Sequence, residues 1–267
     1  MMNQNMMRSI SFDRVADTYD KTRALPEDVA QKLTNALLAE IAAAGADRVL
    51  EVGVGTGRIA RPLAERGVRV LGVDIAPRML ARLREQLGPQ HTPPDLLMGD
   101  ATRLPLVSAS FGAVLAIHVL HLVSPWQTAL EELRRVLAPG GVLIGDNTRS
   151  RTSGEWAVGS AKWRELLATR NLAPRARPGP DEIHSTLRAL GGSCRVVTFA
   201  EAEVRRTPEQ NLERIRSRSH SWTWEIPDGL FAECLADFEQ WYRHRYGNME
   251  KELVLHVSYS IEAWSFD

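Results

Sequence analysis

Residues 49–58, Val49-Leu50-Glu51-Val52-Gly53-Val54-Gly55-Thr56-Gly57-Arg58, run from an apolar stretch through an acid into alternating glycines. A strand must end here and the chain must turn tightly. Glycines at alternate positions reach backbone conformations closed to other residues and let the main chain approach a ligand where a Cβ would collide. A helix expected at 59–66 then offers N–H groups to an anionic or polar ligand. Dinucleotide sites use G-x-G-x-x-G, whose third glycine packs helix on strand. Here that glycine comes one place early and Arg58 occupies the position, which argues against NAD or FAD.

Beyond Gly45, β-type apolar runs alternate with helix-type periodic segments, the signature of a parallel sheet with helices on both faces. Strands are expected at 48–52, 68–73, 95–98, 111–117 and 141–146, and helices at 59–66, 77–87 and 126–137. Pro77 stands at a helix start, and Gly140-Gly141 is read as the stop of the helix at 126–137. Upstream, 26–44 reads as a long amphipathic helix. Downstream, 193–204 and 252–264 read as the last two strands, one of them antiparallel. Residues 174–180 are a proline-rich break.

Several blocks in order resemble the class I S-adenosylmethionine-dependent methyltransferases, in particular the small-molecule group that includes the ubiquinone and menaquinone biosynthesis enzymes. They are Glu51-Val52-Gly53-Val54-Gly55-Thr56-Gly57, Leu71-Gly72-Val73-Asp74, Met98-Gly99-Asp100-Ala101 and Arg135-Val136-Leu137-Ala138-Pro139-Gly140-Gly141. A further block, Phe12-Asp13-Arg14-Val15-Ala16-Asp17-Thr18-Tyr19-Asp20, is similar to the segment that precedes the glycines in that group. The resemblance covers residues 11–147.

The resemblance implies a Rossmann-like α/β fold, a mostly parallel seven-stranded sheet, last strand antiparallel, with helices on both faces; the mostly helical pattern of 207–247, between the last two strands, is read as a helical lid insertion. In domain terms, 1–45 would cap the cofactor site, 46–206 with 248–267 would form the core, and 207–247 would be the inserted lid. S-adenosylmethionine would be the cofactor and S-adenosylhomocysteine the product. The implied cofactor positions are Tyr19, Arg23, Glu51, Gly53, Gly55, Gly57, Asp74, Ile75, Met79, Gly99, Asp100, Ala101, Ile117 and His118. Asp74 would take the ribose hydroxyls, roughly 20 residues past the glycines as in other nucleoside sites, or would cap the following helix. Asp100 with Ala101 would meet the adenine, or Asp100 is an ordinary loop acid. Arg23 would face the methionine carboxylate through charge-assisted hydrogen bonds.

A sulfonium methyl group is already electrophilic, so holding an acceptor in line with it supplies much of the acceleration, and a general base is optional. His118 and His121 are the candidates for that base, with lining of the cofactor pocket as the other reading. Trp222, Trp224 and His220 are candidates for an acceptor wall, although tryptophans also fill cores. Arg205, Arg206, Arg214, Arg216 and Arg218 read either as an anion site or as a solvated face paired with acids such as Glu209 and Glu213.

The 33 basic and 33 acidic residues balance, which removes any whole-chain electrostatic case for nucleic acid or an anionic membrane. The motif that grips a nucleobase amine, Asp/Asn-Pro-Pro-Tyr/Phe after the fourth strand, is missing. The expected partner is therefore a small-molecule acceptor, with the chain a monomer or homodimer. Neither of the two cysteines, Cys194 and Cys234, fits a metal or disulfide framework, and no metal-ligand cluster is visible. Without a signal peptide or apolar span the expected location is the cytoplasm. Rival readings are a cofactor-binding protein without turnover, a methyltransferase acting on tRNA or a carrier protein, and an NAD-dependent oxidoreductase.

Overall fold

The computed structural model describes residues 9–17, 19–20, 25–87, 93–146, 155–172, 178–218 and 223–266. The chain divides into two compact units: Met1–Arg149, Pro178–Ala200 and Ser260–Asp267 form the first, and Ser150–Arg177 with Glu201–Tyr259 form the second.

The strands are β1 (Arg48–Val52), β2 (Arg69–Asp74), β3 (Asp95–Met98), β4 (Phe111–Ala116), β5 (Leu137–Asp146), β6 (Gly192–Arg206) and β7 (Leu253–Phe266). They make one seven-stranded sheet in the order β3-β2-β1-β4-β5-β7-β6. Neighbours among β1 to β5 run parallel, and β7 runs antiparallel to β5 with Glu262 opposite Gly145. The order reverses between β1 and β4, and ligands of open α/β sheets bind outside the carboxyl ends of the strands at such a point. Both β6 and β7 pass from one unit to the other along their length.

The helices are α1 (Glu27–Ala43), α2 (Ala60–Ala64), α3 (Pro77–Gln86), α4 (Trp126–Val136), α5 (Glu155–Ala168), α6 (Pro180–Ala189), α7 (Pro208–Arg216) and α8 (Asp228–Tyr246). Alternate strand residues serve the two faces of the sheet. Val49, Leu115 and Ile144 pack with Leu33 and Leu37 of α1, Leu63 of α2 and Leu83 of α3. Leu50, Val114 and Leu143 pack on the opposite face with Leu130 and Leu133 of α4, Leu187 of α6, and Trp264. Both faces are thus covered, which is why the central strands read as nearly continuous apolar runs.

Most element boundaries fall within two residues of the sequence expectation, and the start of the fifth strand does not. The fourth helix stops at Val136, and Leu137 is already extended at φ −72° and ψ 127°. Pro139 keeps the preceding Ala138 out of the helical region, so the helix cannot run on to the glycine pair. The strand accordingly starts at Leu137 rather than 141 and carries a register shift opposite Phe111 and Ala113. The second unit takes in α5, α7 and α8.

That unit has its own core, built from Trp163 and Leu167 of α5, Leu212 of α7, and Phe231, Phe238 and Tyr242 of α8. Trp163 meets Phe238 edge-on at 5.3 Å between ring centres. Its α7 begins with a reciprocal cap: Gln210 N–H donates to Thr207 Oγ1 at 3.2 Å, and Thr207 N–H donates to Gln210 Oε1 at 3.0 Å.

Candidate functional site

The glycine turn leaves β1 and is tied at once to β2, where Gly53 N–H and Val54 N–H both donate to the Val73 carbonyl, at 2.8 and 3.1 Å. Gly53 (φ +74°) and Gly57 (φ +83°) lie in the left-handed region. A Cβ on Gly53 would fall 2.5 Å from a methyl of Val119, and one on Gly57 would overlap a methyl of Leu83. These two glycines are therefore required by backbone and packing together.

Asp74, at the end of β2, ties this turn to the next one. Its Oδ2 accepts the Gly55 N–H at 2.8 Å and its Oδ1 accepts the Ala76 N–H at 2.8 Å. The helix cap is Ala76, with no side-chain bond, so Asp74 is not the cap of α3. Burial pushes its carboxyl up, against the lowering by the Ala76 and Gly55 N–H groups. Each oxygen retains acceptor capacity for a ligand hydroxyl. Ile75 beside it is an exposed apolar side chain.

Glu51 is 3 % exposed. One side of its carboxyl takes the Ala60 N–H at the start of α2, while Oε2 has no partner among the described residues. Burial raises its pKa to about 8, against the pull of Arg58. A buried, half-satisfied acid beside a glycine cradle fits a ligand that brings a positive charge or hydrogen-bond donors.

The N-terminal segment is fastened over the same turns. Asp13 Oδ1 accepts the Arg78 N–H at 2.9 Å, and Asp17 pairs with the Arg78 guanidinium at 2.7 Å. Asp20 accepts from the Thr56 hydroxyl in the glycine turn and, at 2.8 Å, from the Gln86 amide of α3. Tyr19 packs edge-on against Phe12 at 5.6 Å, and both lie against Ala16, Ala76 and the buried Met79. Met79 is thus packed beneath this segment. Arg23, His220 and Trp222 lie outside the described residues.

Beyond β3, Gly99 N–H donates to the Asp74 carbonyl at 3.0 Å, which places Asp100 and the buried Ala101 next to the β2 turn. Asp100 Oδ1 accepts both the N–H and the hydroxyl of Thr102 at 2.9 Å, a local turn. Ile117 is buried in the sheet core, whereas His118 is exposed at φ +56°, where the chain leaves β4. His121 is half-buried and lines a separate cavity with His184 and Glu262. Trp224 donates its indole N–H to the Arg218 carbonyl at 2.7 Å, within the second unit.

Two positions escape motif reading. Asp20 closes the N-terminal block and was legible only as its last acid. Arg135 looks like one of many helix arginines, yet it donates to the carbonyls of Leu104 (3.0 Å) and Leu106 (2.7 Å) and pairs with Glu132 at 2.6 Å, bracing the loop after Asp100. Only its place in the Arg-Val-Leu-x-Pro-Gly-Gly block hints at this.

Of the arginines weighed as an anion site, Arg216 is instead held by Glu209, Glu213 and Glu239, and Arg218 by Asp228. Among the described residues no cluster of His, Cys, Asp and Glu is placed to hold a metal, and no helix is long and apolar enough to cross a membrane.

The profile of the methyltransferase domain matches residues 50–145. The demethylmenaquinone methyltransferase of Beutenbergia cavernae is 38% identical over 202 residues, covering 74% of this chain and 75% of that protein. The malonyl-[acyl-carrier protein] O-methyltransferase of Serratia marcescens is 35% identical over 162 residues, 61% of this chain and 59% of that one, so the chain spans well under two thirds of that relative's length. In fold, the chain resembles phosphoethanolamine N-methyltransferase 2 of Haemonchus contortus in complex with S-adenosyl-L-methionine, with a TM-score of 0.54 and 18% identity over 96% of this chain and 57% of that one.

The reversed-order sheet with β7 antiparallel beside β5, the glycine cradle and the acid joined to it through Gly55 are the arrangement of a class I methyltransferase. The chain belongs to the S-adenosylmethionine-dependent methyltransferases, in the group of the ubiquinone and menaquinone enzymes.

Proposed function

We propose that the protein transfers the methyl group of S-adenosylmethionine to a small-molecule acceptor by in-line displacement. The observation that carries this reading is the Asp74 carboxylate, bonded to the glycine turn through Gly55 and to its own turn through Ala76, beside a buried Glu51 oxygen that lacks a partner. When bound, the cofactor supplies an electrophilic methyl on a sulfonium. Asp74 takes the ribose hydroxyls, Ile75 offers an apolar surface to the base, Asp100 and Ala101 meet its edge, and Glu51 meets the cationic end of the amino-acid tail. The 1–45 segment, with Tyr19 and Arg23, covers the cofactor and excludes water. His118 and His121 stand on the acceptor side, after β4. The segment 207–247, inserted between β6 and β7, carries acceptor specificity. Balanced charge and the absence of a basic domain favour a small molecule over nucleic acid, and the protein works in the cytoplasm as a monomer or homodimer.

The test is calorimetric titration of the purified chain with S-adenosylmethionine, S-adenosylhomocysteine and NAD. Micromolar binding of both adenosyl ligands, lost in Asp74→Ala, supports the reading. Binding of NAD alone overturns it.

A further inference from the structure

Acids from two elements grip the glycine turn. Asp74 of β2 accepts the Gly55 N–H at 2.8 Å, and Asp20 of the N-terminal segment accepts the hydroxyl of the next residue, Thr56, through its Oδ1. Thr56 is 2% exposed. The other oxygen of Asp20, Oδ2, accepts the Gln86 side-chain amide of α3 at 2.8 Å. Gln86 is held in turn, its Oε1 accepting from the Arg61 guanidinium of α2 at 3.1 Å. All of these residues belong to the first unit.

This chain of bonds has a fixed direction. An arginine can only donate, so Gln86 turns its carbonyl oxygen to Arg61 and its NH₂ to Asp20. Thr56 gives its single hydroxyl proton to the same carboxyl. Only a group that accepts on both oxygens fits between these two donors. A carboxylate does so, whereas an amide of the same shape would set its own NH₂ against one of them. The segment is also fastened by Asp17 on Arg78, but those side chains are 74% and 56% exposed, and water screens such a pair. Asp20 is half-buried, and its bonds carry the greater part of the attachment.

We infer that Asp20 is a positioning residue of the cofactor site: acting through Thr56 and Gln86, it fastens the N-terminal segment to the glycine turn and α3, so that the segment retains a bound S-adenosyl ligand. This rests on the methyl-transfer reading above, in which the glycine turn holds the cofactor and the segment covers it. A residue that fastens a cover slows the escape of what lies beneath, and the encounter with the open site does not depend on it. Its loss therefore belongs in the dissociation rate.

The test follows S-adenosylhomocysteine binding to the full chain by stopped flow. Asp20→Asn sets donor against donor and should raise the dissociation rate about tenfold to a hundredfold, with association changed by less than about threefold. Gln86→Glu, which sets two carboxylates face to face, should do the same. Combining the two substitutions restores the direction of the bonds: the new carboxylate at position 86 accepts from Arg61 and from the new amide at position 20, whose oxygen accepts from Thr56. Dissociation from the double variant should return to within about threefold of wild type, a coupling that independent effects on folding would not give. Thr56→Val, which removes the hydroxyl and keeps the shape, supplies a reading should either single variant fail to fold, and should raise dissociation about tenfold. Unchanged dissociation in the variants, a change confined to association, or a double variant no better than the worse single overturns the role of Asp20 and leaves the methyl-transfer reading standing. Failure of the wild-type chain to bind S-adenosylhomocysteine overturns that reading, and the role of Asp20 with it.

Discussion

Among the described residues the buried carboxylates Glu40, Glu51 and Glu262 and the buried His184 all belong to the first compact unit, whereas the second buries no carboxylate or imidazole, its buried polar side chains including Thr207, Asn211, Thr223 and the Cys234 thiol. The second unit keeps its carboxylates exposed or half-buried, with Glu209, Glu213 and Glu239 around Arg216 and Asp237 against Arg170, while burial lowers the pKa of its Arg206 and Arg214. Taking a carboxylate out of water is costly unless something repays it, and ring packing holds a fold together without that cost. The difference is one of what is buried: the first unit takes carboxylates out of water, and the second packs aromatic rings.

The largest effect expected on this contrast is in the second unit. Phe238 is 1% exposed and lies within ring contact of Trp163, Trp241 and Tyr242. Phe238→Ala should cost about 3–5 kcal/mol of stability in denaturant unfolding, the range for deleting a buried ring. Affinity for S-adenosylhomocysteine, measured well below the unfolding transition, should stay unchanged, because the cradle residues all belong to the first unit. A loss of affinity matching the loss of stability would break the separation.

Next in size is Asp74→Ala. It removes the acceptor of the Gly55 N–H and the charged partner proposed for the ribose hydroxyls. Two charge-assisted bonds lost from a bound ligand amount to about 3 kcal/mol, so calorimetry should show affinity for S-adenosylhomocysteine falling by about 100-fold or more. Retained affinity would remove Asp74 from the site.

How much of this could be read in advance also differs between the units. Gly53 and Gly57 were legible because only glycine tolerates their φ and the contacts of Val119 and Leu83, so backbone geometry wrote itself into the sequence. Asp74 was legible because strand, turn and helix fix its distance from the glycines. The His184–Glu262 pair was not: 78 residues separate its members, and only the pairing of β5 with β7 and the packing of α6 bring them together. The end of α4 was legible to within one residue, but the start of β5 was not, because Pro139-Gly140-Gly141 reads as a break and the strand runs through it. Helix α5, Glu-Trp-Ala-Val-Gly-Ser-Ala-Lys-Trp-Arg-Glu-Leu-Leu-Ala, shows no clean apolar stripe, and so gave no periodic signal to read.

A third prediction concerns Glu51, whose burial raises its pKa from 4.5 to about 8. The folded chain then holds a proton that the unfolded chain releases. The group's contribution to stability is full below pH 4.5 and is lost as pH rises through about 8. A cationic ligand group beside it reverses the preference and ionises it. Binding of S-adenosylmethionine at pH 7 should therefore release up to about one proton, and affinity should rise by as much as about tenfold from pH 6 to pH 7. Calorimetry in buffers of differing ionisation enthalpy measures both, and Glu51→Gln should abolish both. Proton release that survives Glu51→Gln would place the titrating group elsewhere.

The smallest effect should again come from the second unit, at its best-formed ion pair. Arg216 Nε lies 2.5 Å from Glu239 and its Nη1 2.6 Å from Glu209, with all three side chains 27–29% exposed. These bonds raise the arginine pKa further above its ordinary value, the Glu239 bond most. Yet the guanidinium is charged at any working pH, so that rise carries no pH dependence of stability near neutrality. Solvent-accessible pairs contribute about 0–1 kcal/mol, because long side chains lose entropy and water and salt screen the attraction. Glu239→Gln keeps the packing and leaves Glu209 and Glu213 on the arginine, so unfolding in denaturant should shift by less than about 1 kcal/mol, and less still in 1 M salt. A loss above about 2 kcal/mol that persists in high salt would mean that the second unit also depends on a desolvated charge, and the contrast between the units would fail at the position where it is most exposed to test.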